Sequence, residues 1–136
     1  MKRVFVDSGV FLAHLVAKDS NHEKARALFL QAVQEGWRFV ITNAILYETH
    51  ALILNKSRNG RAVALEFLKS VEENLCRVER VRPEDETRAT DLLKSYADKD
   101  FSLCDALSFV VMDRLSIHEA ISFDQHFREY GRLILL

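Results

Sequence analysis

Short apolar segments recur along this chain, and longer helical stretches separate most of them. These segments lack the alternation of polar and apolar residues that is typical of a half-exposed strand. The first, Val4-Phe5-Val6, is typical of a strand that is covered on both faces. Strands are predicted at residues 3–6, 37–41, 76–81, 119–123 and 132–136. This alternation favours a three-layer α/β/α sandwich around a mostly parallel, twisted sheet of about five strands.

The helical stretches carry recognisable start and stop residues. Asn21 is a candidate N-cap and Gly36 a stop for one helix, Thr42 and Ser102 are candidate caps for two others, and Pro83 opens a fourth. Helices are predicted over residues 8–18, 22–35, 43–55, 60–75, 83–96 and 103–115. Because no repeat or linker interrupts the pattern, we expect one domain over residues 1–136.

Composition limits the class of protein. A chain of 136 residues that is 49% hydrophobic can bury a core as a single domain. No apolar run reaches the roughly 18 residues of a membrane span, and the start has no signal-peptide core, so we expect a cytoplasmic protein without a membrane partner. Cys76 and Cys104 lack metal-site or disulfide spacing and are predicted to be buried free thiols.

Net charge gives no general argument for a nucleic-acid partner, because the formal charge is only −1. Positive charge is nevertheless concentrated locally, where Lys56, Arg58 and Arg61 surround Gly60 between two helical stretches. These three side chains are candidate RNA-binding residues. A solvated interhelical turn would have the same composition, so both interpretations stay open.

Two aspartates follow predicted strands directly. Asp7 comes after the first strand, and Asp124 comes after the segment Ala120-Ile121-Ser122-Phe123. Ligand sites of open α/β sheets form at the carboxyl ends of strands, which makes both residues candidates for a functional site. Taken singly, each is equally well explained as a helix N-cap.

Glu48 and Asp105 are less easily explained as surface residues. Glu48 has Ala44, Ile45, Ala51 and Leu52 as its helical neighbours, which places it on an apolar face. Asp105 is the only charged residue in the apolar run 101–112. A carboxylate on a core-facing surface costs several kcal/mol, in order of magnitude, unless it is paired or binds a metal. An internal salt bridge could account for one of them, whereas two together with two strand-end aspartates indicate convergence.

A cluster of four carboxylates is stable in anionic form only around cations, and hard oxygen ligands select Mg²⁺ or Mn²⁺. Asp7, Glu48, Asp105 and Asp124 are therefore the predicted metal ligands and catalytic residues. Such a site suits phosphate chemistry, in which the ion activates water and neutralises the scissile phosphate. Ser8, Thr42 and Ser102 are first of all helix caps and could also support the site through their hydroxyls. Among the 5 histidines only His126, close to Asp124, is a weak candidate.

Four segments carry a family resemblance: Val4-Phe5-Val6-Asp7-Ser8, Thr42-Asn43-Ala44-Ile45-Leu46-Tyr47-Glu48, Asp100-Phe101-Ser102-Leu103-Cys104-Asp105-Ala106-Leu107-Ser108-Phe109 and Ser122-Phe123-Asp124-Gln125-His126-Phe127. In order and surroundings they resemble the PIN-domain family, in particular the VapC-like toxin ribonucleases of toxin–antitoxin pairs. The resemblance covers essentially the whole chain. It implies an Mg²⁺- or Mn²⁺-dependent endoribonuclease whose acidic quartet is the one already singled out, with Asp100 as a lesser supporting acid.

The resemblance also implies an RNA substrate, a homodimer and a cognate antitoxin protein. RNA as the substrate rests on the resemblance, because an acidic pocket predicts phosphate chemistry without distinguishing RNA from DNA. Three alternatives remain: a PIN-type RNA-processing nuclease that is not a toxin, a catalytically idle scaffold, and a response-regulator-like signalling domain that binds Mg²⁺. The sequence argues against the last, because Asp7 stands alone and no strand-end lysine follows.

Overall fold

A computed structural model describes residues 1–136 as strands alternating with helices. The strands are β1 (Arg3–Val6), β2 (Arg38–Thr42), β3 (Arg77–Glu79), β4 (Glu119–Ile121) and β5 (Ile134–Leu135). The helices are α1 (Ser8–Leu15), α2 (His22–Glu35), α3 (Asn43–Lys56), α4 (Gly60–Glu72), α5 (Pro83–Ser95), α6 (Leu103–Arg114) and α7 (Gln125–Tyr130). None of these helices combines the length and the apolar character that crossing a bilayer requires.

All strands run parallel in one sheet, in the order β3-β2-β1-β4-β5. In β1, Phe5 lies opposite Val40 of β2 on one side and opposite Ala120 of β4 on the other. The chain builds outward from β1 to β3 and then crosses over to add β4 and β5 at the other edge. The strand order therefore reverses between β1 and β4, which is where open parallel sheets form ligand crevices.

The central strand β1 is covered on both faces, and its residues Val4, Phe5 and Val6 are fully buried. Helix α1 packs against α2 and α3, α3 packs against α4, and α5 packs against α6. The ring of Phe109 in α6 lies 4.0 Å from that of Tyr130 in α7, centroid to centroid, and stacks on it. The predicted three-layer α/β/α sandwich is confirmed, and its sheet is entirely parallel.

The ends of several elements differ from the prediction. Helix α1 ends at Leu15 rather than at residue 18, because Val16 adopts an extended conformation while its N–H closes the last turn on the Leu12 carbonyl. Strand β4 ends at Ile121 rather than at residue 123, and residues 122–124 lead into α7, which was not predicted. A helix of six residues is too short to show an apolar period.

The turn between α3 and α4 brings backbone against backbone. A Cβ atom at Gly60 would overlap the carbonyl oxygen of Leu54, so only glycine fits where α4 begins. This close approach fixes the path of the intervening segment, which includes Lys56 and Arg58.

A buried ion pair fastens α5 to α6. Asp85, in the first turn of α5, is 1% exposed, and Arg114 donates to both of its carboxylate oxygens, from Nε at 2.9 Å and from Nη2 at 2.8 Å. Arg114 also donates from Nη1 to Glu79, the last residue of β3, at 2.9 Å. Burial favours the neutral acid, but the hydrogen bonds from Arg114 and from the Arg82 backbone outweigh it and lower the pKa of Asp85.

We predict that Arg114→Leu lowers the free energy of unfolding by about 3–5 kcal/mol, because it leaves a buried carboxylate without a partner. Arg88→Leu is the matched control: it breaks an exposed pair with Asp113 and should cost no more than about 1 kcal/mol. Urea unfolding followed by circular dichroism at neutral pH measures both. Since the pKa of Asp85 is lower in the folded state, the effect of Arg114→Leu should shrink as the pH falls below the ordinary value of 3.8. Equal losses in the two variants would contradict a structural role for the buried pair.

Candidate active site

The two strand-end aspartates flank the point where the strand order reverses. Asp7 directly follows β1, and its backbone N–H donates to the carbonyl of Ile121 at 3.0 Å, which extends the pairing with β4. Asp124 lies just beyond β4 and is the N-cap of α7. The structure thus brings both residues to the same edge of the sheet.

Asp7 is a buried carboxylate, 5% exposed, at the start of α1. One oxygen accepts from the Ser8 N–H at 2.8 Å, and the other accepts from the Ser122 hydroxyl at 2.9 Å. Burial raises the pKa of Asp7 to about 7, and the negative charges of Asp105 and Asp124 add to this effect, whereas the two hydrogen bonds oppose it. Asp7 is therefore held close to other carboxylates in a site that penalises its charge.

Ser122 connects the two strand-end acids. Its hydroxyl donates to Asp7 Oδ2 and accepts from the backbone N–H of Asp124 at 3.1 Å. Asp124 Oδ1 in turn accepts from the N–H of His126 at 2.9 Å as it caps α7. One buried hydroxyl thereby fixes the side chain of Asp7 relative to the backbone that carries Asp124.

Asp105 enters the site from the first turn of α6. Its Oδ2 atom accepts from the Ser102 N–H at 3.0 Å while its own N–H donates to the Ser102 hydroxyl at 3.0 Å, so the two residues form a capping box. This arrangement explains why an aspartate can begin an otherwise apolar helix. It also occupies one carboxylate oxygen and leaves Oδ1 without a hydrogen-bond partner in the protein.

Glu48 joins the cluster from the second turn of α3. The Ser8 hydroxyl donates a short hydrogen bond to Glu48 Oε1. The side chain is half-buried, because the buried positions of α3 are Ile45, Thr49 and Ile53, one turn apart, and Glu48 lies beside that stripe. The prediction that it faces the core was therefore too strong.

Cys104 lies among the acids of the cluster. Its thiol is a free, partly buried group. Burial raises its pKa far above the usual range, and the charges of Glu48, Asp7 and Asp105 raise it further. The thiol is accordingly neutral at physiological pH. Because the charges of Glu48, Asp7 and Asp105 all act on this one thiol, the three acids lie close to one another.

His126 is the only basic side chain that contacts the cluster. Its Nδ1 atom lies 3.0 Å from Asp105 Oδ2 and 3.6 Å from Asp124 Oδ1. Burial lowers its pKa, but the carboxylates of Asp124 and Asp105 outweigh burial and raise it. Ligand atoms of Asp105, Asp124 and His126 all lie within 4.8 Å of one another, which is the spacing of a cation-binding group.

Comparison with protein families identifies this arrangement. The family model described as PIN domain matches residues 4–133, which is nearly the whole chain. The chain belongs to the PIN domain family. The matched range contains all four acids, and a match to the PIN domain gives no support to the response-regulator-like alternative.

Curated relatives of this PIN domain carry VapC names. A VapC ribonuclease from Archaeoglobus fulgidus is 33% identical over 125 residues, which cover 90% of this chain and 77% of the relative. The 23S rRNA-specific endonuclease VapC20 from Mycobacterium tuberculosis is 29% identical over 128 residues, 94% of each chain.

Solved structures agree with the fold. The crystal structure of M. tuberculosis VapC20, a Sarcin-Ricin loop cleaving toxin, superposes with a TM-score of 0.84 at 28% identity over 96% of both chains. FitAcB from Neisseria gonorrhoeae has a TM-score of 0.71 at 12% identity, covering 98% of this chain and 96% of that one. The second likeness shows the fold alone.

The supporting residues of this PIN domain fall into two groups. Ser8 and Ser102 bind cluster acids directly, as described above. Thr42 is fully buried and caps α3 by accepting from the Ile45 N–H at 3.1 Å, so its hydroxyl has a structural partner. Asp100 is exposed and forms no hydrogen bond with the acids, so its supporting role stays a prediction.

The candidate RNA-binding residues lie away from the acids. Lys56 ends α3, Arg58 follows in the turn, and Arg61 is exposed in the first turn of α4. They do not contact the acidic cluster. Any role in RNA binding therefore concerns parts of a substrate outside the reacting phosphate.

Ser122 was not predicted as a site residue, and His126 was only a weak candidate. Ser122 looked like an ordinary polar residue at a strand end, although its position two residues before a strand-end aspartate is that of a backbone-binding hydroxyl. His126 was considered only for its closeness to Asp124. If Asp124 is taken as the cap of a short helix, His126 lies in the first turn of that helix and is expected to face the cluster.

The residues present fit a divalent metal ion. The ligand set consists of carboxylate oxygens with one imidazole nearby, a combination that suits Mg²⁺ or Mn²⁺ better than soft metals. A cation would also offset the burial penalty and the repulsion that together raise the pKa of Asp7. In addition, α1 and α6 direct their N-terminal ends, with their partial positive charge, toward the cluster.

We predict that Asp7→Asn stabilises the metal-free protein at pH 8. The folded-state pKa of about 7 exceeds the ordinary value of 3.8, so the folded protein binds more protons than the unfolded chain between these values. Stability should therefore fall as the pH rises from 4 to 7 and should stay low above 7, by up to a few kcal/mol. Asparagine removes the charge and retains the capping oxygen.

Thermal unfolding in EDTA at pH 8 and at pH 5 measures this effect. The melting temperature of Asp7→Asn should exceed that of the wild type at pH 8, and the difference should shrink at pH 5. Added Mn²⁺ should raise the melting temperature of the wild type more than that of the variant. A wild type that is as stable at pH 8 as at pH 5, with no gain from the substitution, would show that the charge of Asp7 is not penalised.

Proposed function

We propose that this PIN domain is a metal-dependent endoribonuclease that uses Mg²⁺ or Mn²⁺. The observation that carries the proposal is the convergence of Asp7, Glu48, Asp105 and Asp124 from separate elements on the edge where the strand order reverses. Four carboxylates in a partly buried crevice are unfavourable without a cation. Burial, together with the charges of Asp105 and Asp124, raises the pKa of Asp7, so the site penalises the anionic form of this acid.

The four acids are the proposed metal ligands, and the surrounding groups orient them. Ser122 and the Ser8 N–H hold Asp7, Ser102 holds Asp105, and the Ser8 hydroxyl holds Glu48. A bound Mg²⁺ or Mn²⁺ would activate a water, neutralise the scissile phosphate and support the leaving oxygen. The chain itself supplies no histidine, cysteine or lysine placed as a nucleophile: Cys104 is protonated and His126 is occupied by Asp105.

RNA is the proposed substrate, and a toxin of a toxin–antitoxin pair is the proposed biological role. Both rest on the relatives, which are named VapC ribonuclease and 23S rRNA-specific endonuclease VapC20. An RNA-processing nuclease that is not a toxin has the same site and is the alternative. Expression of the wild type in a bacterial host distinguishes them, because a toxin arrests growth and an Asp105→Asn variant does not.

A cognate antitoxin protein, a homodimer and a cytoplasmic location complete the proposal. The structure of VapBC2 from Rickettsia felis, bound to a DNA fragment from their promoter, superposes with a TM-score of 0.70 at 11% identity and supplies the fold likeness only. The partners are therefore proposed from the VapC names of the curated relatives. Light scattering of the purified protein, alone and with the product of a neighbouring gene, tests both associations.

We predict that Asp105→Asn and Glu48→Gln each lower the rate of RNA cleavage by roughly a hundredfold or more, because each removes a ligand that positions the metal and the charge it supplies. The wild type should cleave RNA with Mg²⁺ or Mn²⁺ and stop in EDTA. Asp98→Asn is the control, since that residue is exposed and pairs only with Lys99. Full activity in folded Asp105→Asn and Glu48→Gln proteins would refute the site assignment, as would unchanged cleavage in EDTA.

We also predict that Ser122→Ala weakens Mn²⁺ binding by about 10- to 100-fold, since it frees Asp7 and the Asp124 backbone from their common partner. Titration calorimetry of the folded protein gives the affinity without reliance on activity. Ser122→Thr keeps the hydroxyl and should restore most of it. If Ser122→Ala binds Mn²⁺ as tightly as the wild type, Ser122 has only a packing role.

A further inference from the structure

A second charged feature lies at the far ends of α1 and α3. The residues after α1 and the residues around the end of α3 enclose an open hollow of about 480 Å³. Three cationic side chains line it: Lys18, Lys56 and Arg58. We call these three residues and the space between them the basic hollow. All three are exposed, and none forms a salt bridge.

The basic hollow lies at the C-terminal ends of α1 and α3, and the acidic cluster contacts the same two helices nearer their N-terminal ends. Helix α1 begins at Ser8 and α3 carries Glu48, and the hydrogen bond between these residues joins the helices at the cluster. The helices pack against each other, and both end at the hollow. Glu48 and Lys56 are eight residues apart on α3, a rise of about 12 Å. A chain that follows the two helices would connect both features within a few nucleotides.

The charge of the hollow selects an anion. Lys56 also interacts favourably with the C-terminal end of α3, which alone would explain one lysine there. Lys18 and Arg58 lie outside both helices and have no such explanation. Their convergence places three unpaired positive charges in a protein whose formal net charge is −1. The hollow and the cluster are separated by about two turns of α3. A phosphate backbone, whose charges repeat along the chain, can reach both, whereas a single anion can occupy only one.

We propose that the basic hollow binds the backbone phosphates of the RNA strand that is cut at the acidic cluster, a few nucleotides from the scissile bond. This inference rests on the proposed ribonuclease function and refines its substrate contacts. It adds Lys18 to the earlier candidates and removes Arg61, which does not line the hollow. The Ser57 hydroxyl, which also lines it, can donate to a phosphate oxygen.

An acidic peptide is the competing ligand for the basic hollow. An RNA strand that runs along α1 and α3 gains at both ends, from the cations of the hollow and from the metal at the cluster. An acidic peptide seated in the hollow gains only the first. The observations therefore favour RNA, and the experiment includes the peptide as an outcome.

Binding, rather than cleavage, provides the test. Fluorescence anisotropy measures the affinity of a single-stranded RNA for the full chain carrying Asp105→Asn, with Mn²⁺ present, so that the RNA stays intact. The test protein adds Lys18→Gln, Lys56→Gln and Arg58→Gln. The matched control adds Arg26→Gln, Lys69→Gln and Lys94→Gln, which remove the same charge from exposed sites on α2, α4 and α5 that form no salt bridge. Circular dichroism confirms that both proteins are folded.

For single strands, each neutralised phosphate adds about 0.7 to the slope of log affinity against log salt. The test protein should therefore lose about 2 units of slope, and roughly tenfold or more in affinity at about 50 mM salt, relative to the control. A single-stranded DNA of the same sequence should lose as much, because the contacts are to phosphate. Equal slopes in the test and control proteins would overturn the proposal. The proposal would also be overturned if the three cations were needed for binding of a polyglutamate peptide but not for binding of RNA.

The two proposals can fail separately. Cleavage of RNA by the wild type with Mn²⁺ is measured in parallel. If the wild type does not cleave, the proposed function fails while the binding slopes still report on the hollow. If the wild type cleaves and the slopes are equal, only the basic hollow is wrong.

Discussion

The cost of burying the charge of Asp7, to which repulsion from Asp105 and Asp124 adds, is the penalty that the rest of the site opposes. The opposition comes from short-range hydrogen bonds: Ser8 and Ser122 to Asp7, Ser102 to Asp105, and the start of α7 to Asp124. These bonds fix geometry without neutralising charge, so burial still raises the pKa of Asp7 to about 7, and the two neighbouring carboxylates add to the effect. The parallel sheet makes this possible, because its reversal of strand order leaves a crevice at the carboxyl edge that no helix fills.

The fold treats a buried carboxylate in two different ways. Asp85 has a bidentate arginine partner, and its pKa is lowered. Asp7 has two neutral hydrogen-bond donors and anionic neighbours, and its pKa is raised. The first arrangement ties helices together and gains nothing from an added cation. The second has negative charge without a cationic partner, which is where we propose that a metal ion binds. This contrast separates a structural acid from a candidate catalytic one within the same small domain.

Much of this fold follows from the sequence, because long apolar periods and capping residues act locally. Six of the seven helices and all five strands were predicted, with differences of a few residues at their ends. Site residues could be predicted from the sequence where an acid lies within an apolar segment, as Asp105 does. The contacts of Ser122 and His126 could not be predicted, because serine and histidine occur in many environments. Their roles depend on partners that are distant in the sequence. The Asp85–Arg114 pair was equally hidden, since 29 residues separate its members and the acid looks like an ordinary first-turn residue of a helix.

Three of the four acids also begin helices: Asp7 caps α1, Asp124 caps α7 and Asp105 completes the capping box of α6. Asparagine caps helices about as well as aspartate does. The exchange of one carboxylate oxygen for an amide nitrogen can therefore remove a negative charge and a proposed metal ligand from the site while the helix starts remain intact. Loss of catalysis and loss of fold are thus uncoupled in this architecture. A lineage that needs only to hold RNA or a protein partner can abandon cleavage in one substitution, and the retained scaffold would look almost identical to its active ancestor.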